Sequence, residues 1–306
     1  MDWLNHPAYT VVRNRIISRF RKKIYVFQKL SPMVLLCGAT DTLRRETILN
    51  YLRKKRPDAF VFKADDVWFE IASETAANAL HMEEQLADLS DLVIVLVESP
   101  GTFTELGAFS FSERLRKKLL PILEIERKHE HSFINTGPVR WVDADSEYAP
   151  SIRADFSIIL ECANDLEDRM RRLPRFPIRV ATAEELLQSP RHLLFLLFDV
   201  IAVTGPVTFQ HVIYYIVGIL GGRPPNMDLG TLLGLAVSLG RVRRIPIEGR
   251  DPVYMSSSAL EYHRPSFAER RFSLTEERAR VLEVLQRIPD ARSVLEKASK
   301  VASNAR

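Results

Sequence analysis

Residues 92 to 110 read LVIVLVESPGTFTELGAFS, and this stretch limits the fold more than any other part of the chain. Six apolar, mostly β-branched residues (Leu92 to Val97) predict a strand buried on both faces, as in the middle of a parallel sheet. Pro100 and Gly101 force a turn, and Thr102 then opens a helix whose first turn carries Glu105, followed by Gly107 and Ala108. A strand, a glycine-containing turn and a helix N-terminus together form the ligand crevice of an open α/β sheet. Thr102-Phe103-Thr104-Glu105 also fits the capping-box pattern, in which the Glu only satisfies a backbone N–H. Both readings of Glu105, reactive acid and structural cap, are open at this level.

The surrounding sequence alternates strand and helix. Met33 to Cys37 (MVLLC) is a buried strand leaving through Gly38-Ala39-Thr40-Asp41. Such a turn can offer backbone N–H groups to a phosphate, although the dinucleotide and P-loop fingerprints are both absent. Leu43 to Lys55 reads as a helix, and Ala59 to Lys63 as a strand ending at Asp65 and Asp66, acids suited to a ribose hydroxyl or to a surface turn. A helix from about Ser73 to Leu89 buries Ala79, Met82, Leu86 and Leu89. Glu84 then faces solvent, while Glu83 falls at the stripe's edge, where it snorkels outward or lines a cleft. Leu119 to Ile125 is the next strand, with Pro121 marking an edge or a strand start. Ser132 to Trp141 reads as a Gly-Pro turn entering a short final strand. Over residues 31 to 145 the pattern is a parallel, doubly wound sheet, an α/β fold.

The chain of 306 residues suggests two domains or one with appendages, and a net charge of +4 permits anionic partners without demanding them. Cys37 and Cys162 match no metal or redox spacing, which suits a reducing, cytoplasmic setting. No signal peptide is evident. Leu193 to Val203 is too short to cross a bilayer and is interrupted by Asp199, so no membrane association is expected. His129 and His131 lack further ligands nearby, so no metal site is expected. Residues 1–30 contain Arg13, Arg15, Arg19, Arg21, Lys22 and Lys23 interleaved with Ile16, Ile17, Phe20 and Ile24. This predicts a basic amphipathic helix, either packed on the protein or docked on phosphates or an acidic partner.

Residues 151–188 read as a connecting helix (Ser151 to Leu173) and a proline- and arginine-rich linker. Residues 189–275 give three helical runs, Pro190 to Val203, Thr208 to Leu220 and Asp228 to Leu239. Strands Arg243 to Ile247 and Val253 to Ser257 follow, around the turn Glu248-Gly249-Arg250-Asp251. This order is that of a winged helix-turn-helix domain. Its third helical run has no Lys, Arg, Asn or Gln to read bases. The basic residues Arg241, Arg243, Arg244 and Arg250 lie at its end and in the wing, which suits backbone contact or a partner surface; a purely packing module is the alternative. Residues 276–306 close the chain with a charged helix.

GTFTELG resembles the GT-x-x-E-x-G motif of the nucleoside 2-deoxyribosyltransferase superfamily. The longer run ESPGTFTELGAFS, followed by SFINTGPVR, resembles the deoxyribosyltransferase-like toxin effectors of bacterial retrons. Those antiphage systems combine a reverse transcriptase with a multicopy single-stranded DNA (msDNA). The resemblance implies that 31–150 is the catalytic domain, with Glu105 the nucleophile at C1′ and Glu83 the acid at the sugar. It places Cys37 and Gly38 in the substrate-facing turn, and Ser99, Gly101 and Thr102 beside the substrate. Where the transferases carry an Asp acting on the nucleobase, this chain has Ser99, which puts base exchange in doubt. A neutral purine needs protonation to leave, whereas the pyridinium of NAD+ departs as neutral nicotinamide. NAD+ or another nucleotide is therefore expected as substrate, with no cofactor. The helix N-terminus is expected to keep Glu105 ionised. The implied partners are the retron reverse transcriptase and its msDNA. Because the transferases complete their sites from a neighbouring subunit, a homo-oligomer or larger assembly is expected, with Asn135 serving its own pocket or a partner's. The alternative function is a non-enzymatic winged-helix regulator whose α/β domain senses a nucleotide.

Overall fold

The chain opens with α1 (Pro7–Arg21) and β1 (Tyr25–Phe27), which belong with its C-terminal half, and then enters the α/β unit. The computed structural model describes residues 3–21, 25–27, 31–40, 42–71, 78–127, 131–174, 178–180, 183–225, 228–257, 265–267 and 273–304. Two compact units emerge: Ser31–Ala72 with Ala76–Arg175, and Met1–Leu30 with Phe176–Arg306.

The first of these units begins with β2 (Met33–Cys37), α2 (Leu43–Lys55), β3 (Phe60–Phe62), α3 (Ala64–Ile71) and α4 (Ala79–Leu89). It continues through β4 (Leu92–Leu96), α5 (Pro100–Phe111), α6 (Glu113–Arg116) and β5 (Leu119–Glu124). It closes with α7 (Arg140–Asp145), β6 (Ile152–Ala154) and α8 (Ala163–Arg171). All five strands are parallel, in the order β3-β2-β4-β5-β6. Period-2 alternation sends Val34, Leu36, Leu92, Ile94 and Leu96 to one face, where they pack with Ile48, Leu49, Leu166 and Met170 of α2 and α8. Met33, Leu35, Cys37, Val93, Val95 and Val97 are buried on the other face, toward α3, α4 and α5. The strand order reverses between β2 and β4, the position at which open α/β sheets form their ligand crevice.

Several expectations for this unit are corrected. Ser132 to Trp141 contains no strand; Asn135–Val139 is a widened helical turn with Pro138 inside it, running into α7. The fifth strand is β6 instead, and it interrupts the connecting helix expected over Ser151 to Leu173. Pro121 sits in an internal strand, opposite Val95; the ladder to β6 begins only at Ile122, so proline sacrifices no bond on that side. Asp65 and Asp66 lie in the first turn of α3. α4 starts at Ala79, where the Asn78 side chain accepts the Leu80 N–H at 2.9 Å, and Ala79 itself is exposed. Residues 73–77 of the expected helix, Asp41 and His129 lie outside the described residues, as do Lys22, Lys23 and Ile24.

The second unit contains α1 and β1 with β7 (Ile178–Val180), α9 (Ala183–Gln188), α10 (Pro190–Thr204), α11 (Phe209–Ile219) and α12 (Leu229–Ser238). The hairpin β8 (Val242–Ile247) and β9 (Arg250–Ser256) follows, then β10 (Pro265–Phe267), α13 (Leu274–Arg287) and α14 (Pro289–Asn304). Ile178–Val180, expected within a linker, pairs with β1 in the antiparallel sheet β10-β1-β7. The hairpin turns at Gly249, whose φ of 70° lies in the left-handed region that favours glycine. The closing helix is two helices because Pro289 cannot continue α13. α1 packs against α11 and α13: the Tyr215 hydroxyl donates to Tyr9 at 2.9 Å, and buried Glu277 faces Arg15, Arg19 and Arg280. Much of the basic face of α1 is thus engaged inside its own unit. No described helix is long and apolar enough to cross a membrane.

Candidate active site

The site is built where β2 and β4 end. Ser99 caps α5: its hydroxyl accepts the Thr102 N–H at 3.3 Å, and the Thr102 hydroxyl accepts the Ser99 N–H at 2.9 Å. The capping box is therefore Ser99–Thr102, not Thr102–Glu105, which corrects the structural reading of Glu105. Glu105 is the sixth residue of α5, one turn further along than the sequence implied, and it is not needed as a cap. It lies with Cys37, at the end of β2, and with Glu83 of α4, close enough for their charges to interact. Glu83 is half-buried and Glu84 exposed, as the wheel of α4 predicts.

Burial is the largest influence on Glu105. Together with the Glu83 charge it lifts the pKa from 4.5 to about 7, with the Cys37 thiol and Arg45 pulling it down and Asp65 pushing it up. Glu83 is raised by burial and then by Asp65, and the buried Cys37 thiol is pushed well up by burial and the two glutamates. The helix N-terminus therefore does not hold Glu105 at the ordinary carboxylate pKa, and the side chain is only partly ionised near neutral pH. Helix-end stabilisation fades beyond the first turn, and desolvation next to like charge outweighs it. Oε2 of Glu105 is buried with no hydrogen-bond partner among the described residues.

Two groups that sequence reasoning passed over organise the turn beside these acids. Arg45 reads as one more basic residue of α2, yet only 2% of it is exposed. Its guanidinium donates to Asp65 at 2.6 Å and to the Gly38 carbonyl at 3.0 Å. Glycine is required at 38 because a Cβ there would stand 2.7 Å from Cδ of Arg45. The second group is Glu98, whose carboxylate accepts from the Ala39 N–H at 3.2 Å, the Thr42 hydroxyl at 2.8 Å and Arg44 at 3.1 Å. The exit turn of β2 is thereby occupied by an internal carboxylate rather than offered to a phosphate. The only sequence signal for Arg45 was a glycine without a phosphate fingerprint.

The remaining predicted residues divide. Gly101 is exposed on the first turn of α5, whereas Thr102 is 1% exposed with its hydroxyl engaged in the turn, so its side chain is no substrate contact. Asn135 accepts from Arg153 at 2.9 Å and lines a separate cavity of about 300 Å³ whose walls include neither Glu83 nor Glu105. Arg250 is paired with Asp290 at 2.7 Å; Arg243 and Arg244 lie on β8, the latter exposed, and Arg241 immediately precedes it. Among the described residues no group of three or more His, Cys, Asp or Glu is placed to hold a metal ion.

Comparison with known proteins finds a family match over residues 41–244, to the family described as STM3845 retron effector protein. An Escherichia coli relative named "Retron Ec73 putative ribosyltransferase/DNA-binding protein" is 29% identical over 225 residues, covering 66% of this chain and 71% of the relative. A second, from the same organism and named "Retron Ec86 putative ribosyltransferase/DNA-binding protein", is 36% identical over 133 residues, covering 42% of this chain and 43% of that protein.

Proposed function

Because this chain belongs to the STM3845 retron effector family, we propose that its α/β unit is an N-glycosidase that cleaves the base–sugar bond of a nucleotide, NAD+ above others. The observation that carries this reading is the partly buried pair Glu105 and Glu83, with Asp65 and the guanidinium of Arg45 beside it. Strongly perturbed acids in a ligand crevice are the arrangement expected of reacting groups. The ribosyltransferase half of the relatives' names agrees with chemistry at a sugar.

The mechanism follows from charge. Glycosidic cleavage passes through an oxocarbenium-like state, which nearby carboxylates stabilise. Ionised Glu105 attacks the anomeric carbon, the glycosidic bond breaks with its electron pair going to the base, and water then hydrolyses the glycosyl-enzyme. Glu83 stabilises the developing positive charge. Ser99 carries no acid for the base and its hydroxyl caps α5, which favours a leaving group that needs no proton. A cationic pyridinium meets this requirement, and its charge would also favour the ionised form of Glu105.

In the second unit, three helices followed by a hairpin read as a winged helix-turn-helix domain. α12 is buried from Leu229 to Ala236, so base reading through it is disfavoured; Arg243 and Arg244 remain as backbone contacts. The DNA-binding half of the relatives' names favours such contact. We place the reverse transcriptase and msDNA as the partners that restrain the enzyme, in an assembly with more than one copy of this chain. The test is to incubate the purified protein with NAD+ and with nucleoside monophosphates. Release of free base supports the glycosidase; nucleotide binding without release supports the non-enzymatic regulator.

A further inference from the structure

We infer that the cavity between α5 and β6 is a second ligand site, shaped for a single amino-substituted nucleobase bearing an anionic group such as a phosphate. Its volume of about 300 Å³ is at the small end of ligand pockets, and it lies at the carboxyl ends of β4, β5 and β6, where open sheets bind ligands. It is distinct from the acid cluster. Phe103 lines it, and two residues along a helix is about a 200° turn, so Glu105 faces the other side of α5.

The walls specify the ligand. Phe103 and Phe156 supply aromatic surface, and Phe156 is held by Arg44, whose guanidinium lies 5.6 Å above its ring and donates to its carbonyl at 2.7 Å. Arg153 supplies the cation. One of its terminal nitrogens donates to Asn135, while the other, Nη1, is buried with no hydrogen-bond partner among the described residues. A guanidinium with a buried unmet donor favours an anion, and a phosphate or carboxylate fits its planar fork. The acids in the wall do not abolish this preference. Both oxygens of Glu98 are already hydrogen-bonded, and Glu124 accepts the Phe156 N–H at 3.3 Å. Glu124 is left as an acceptor suited to an exocyclic amino group. An amino-bearing base at Glu124 with its phosphate at Arg153 would satisfy both ends.

The experiment is calorimetric titration of the full chain carrying Glu105→Gln, so that no turnover interferes and the readout does not depend on the glycosidase reading. The probes are adenosine 5′-monophosphate, inosine 5′-monophosphate, adenosine and inorganic phosphate. The monophosphate of adenosine binds best; losing its phosphate or its amino group weakens binding about tenfold, the value of one charge-assisted hydrogen bond. Arg153→Gln weakens that probe about tenfold and erases its advantage over adenosine, while Arg153→Lys retains part of it. Should Arg153→Gln fail to fold, Arg153→Lys reads the same position, and unchanged affinity in it overturns the assignment. Absence of binding, equal affinity for adenosine, or unchanged affinity in folded Arg153→Gln overturns the assignment.

Discussion

With its pKa pushed up to about 7, Glu105 changes charge over the range in which the protein would be assayed. A nucleophile must be ionised, so kcat/KM is expected to fall roughly tenfold per pH unit below about 7, as the free enzyme takes up its proton. Because Glu83 and Glu105 interact, that limb belongs to the pair rather than to either acid alone. The same shift acts on stability. The folded pKa of about 7 exceeds the ordinary 4.5, so between these values the native state holds a proton that the unfolded chain has released. Stability is therefore unaffected below 4.5 and declines as pH rises through 7. Glu105→Gln should stabilise the protein at pH 8 by on the order of 2 kcal/mol and leave it nearly unchanged at pH 4, as denaturant titration at the two pH values would show. Greater stabilisation at pH 4 than at pH 8 would mean that burial does not hold the proton on this side chain.

At the scale of elements, α5 joins cap, acid and glycine in one helix. A methyl group at Gly107 would meet no neighbouring atom within 4 Å among the described residues, so their packing gives no reason for glycine there. Glycine inside a helix costs about 1 kcal/mol relative to alanine. Gly107 stands two residues, about 200° of turn, from Glu105 on α5, so Gly107→Ala is expected to raise stability by up to about that amount and to leave kcat/KM unchanged; a fall in kcat/KM would mean that this face of α5 also meets the substrate. Elements with one dominant signal were legible in the sequence. Met33–Cys37 and Leu92–Leu96 are buried on both faces, and their apolar runs admit little else. α4 carried Glu83 and Glu84 on the predicted sides of its wheel. The Gly137-Pro138 pair misled because a proline in a widened helical turn has the same sequence signature as a proline in a loop. Arg45 and Glu98 were illegible for a different reason: their partners, Asp65, Gly38, Ala39 and Thr42, are supplied by tertiary contact and leave no periodic trace.

For the whole molecule, a parallel sheet holds the acids in one unit, and a helical unit carries the hairpin arginines, Arg244 exposed and Arg243 half-buried. If Arg243 and Arg244 touch a phosphate backbone, replacing both with Ala should weaken single-stranded DNA binding about equally for every sequence. The slope of log affinity against log salt should drop by about 0.7 per lost contact. A loss confined to one sequence would instead point to base reading. The central claim is that Glu105 forms a bond to the sugar. It is tested most directly by the rate of base release from NAD+ and nucleoside monophosphates by Glu105→Gln beside the unaltered chain, both folded, at pH 8. The account predicts a fall of about a thousandfold or more in the variant, the scale expected when a covalent nucleophile is removed; release at the unaltered rate would contradict it.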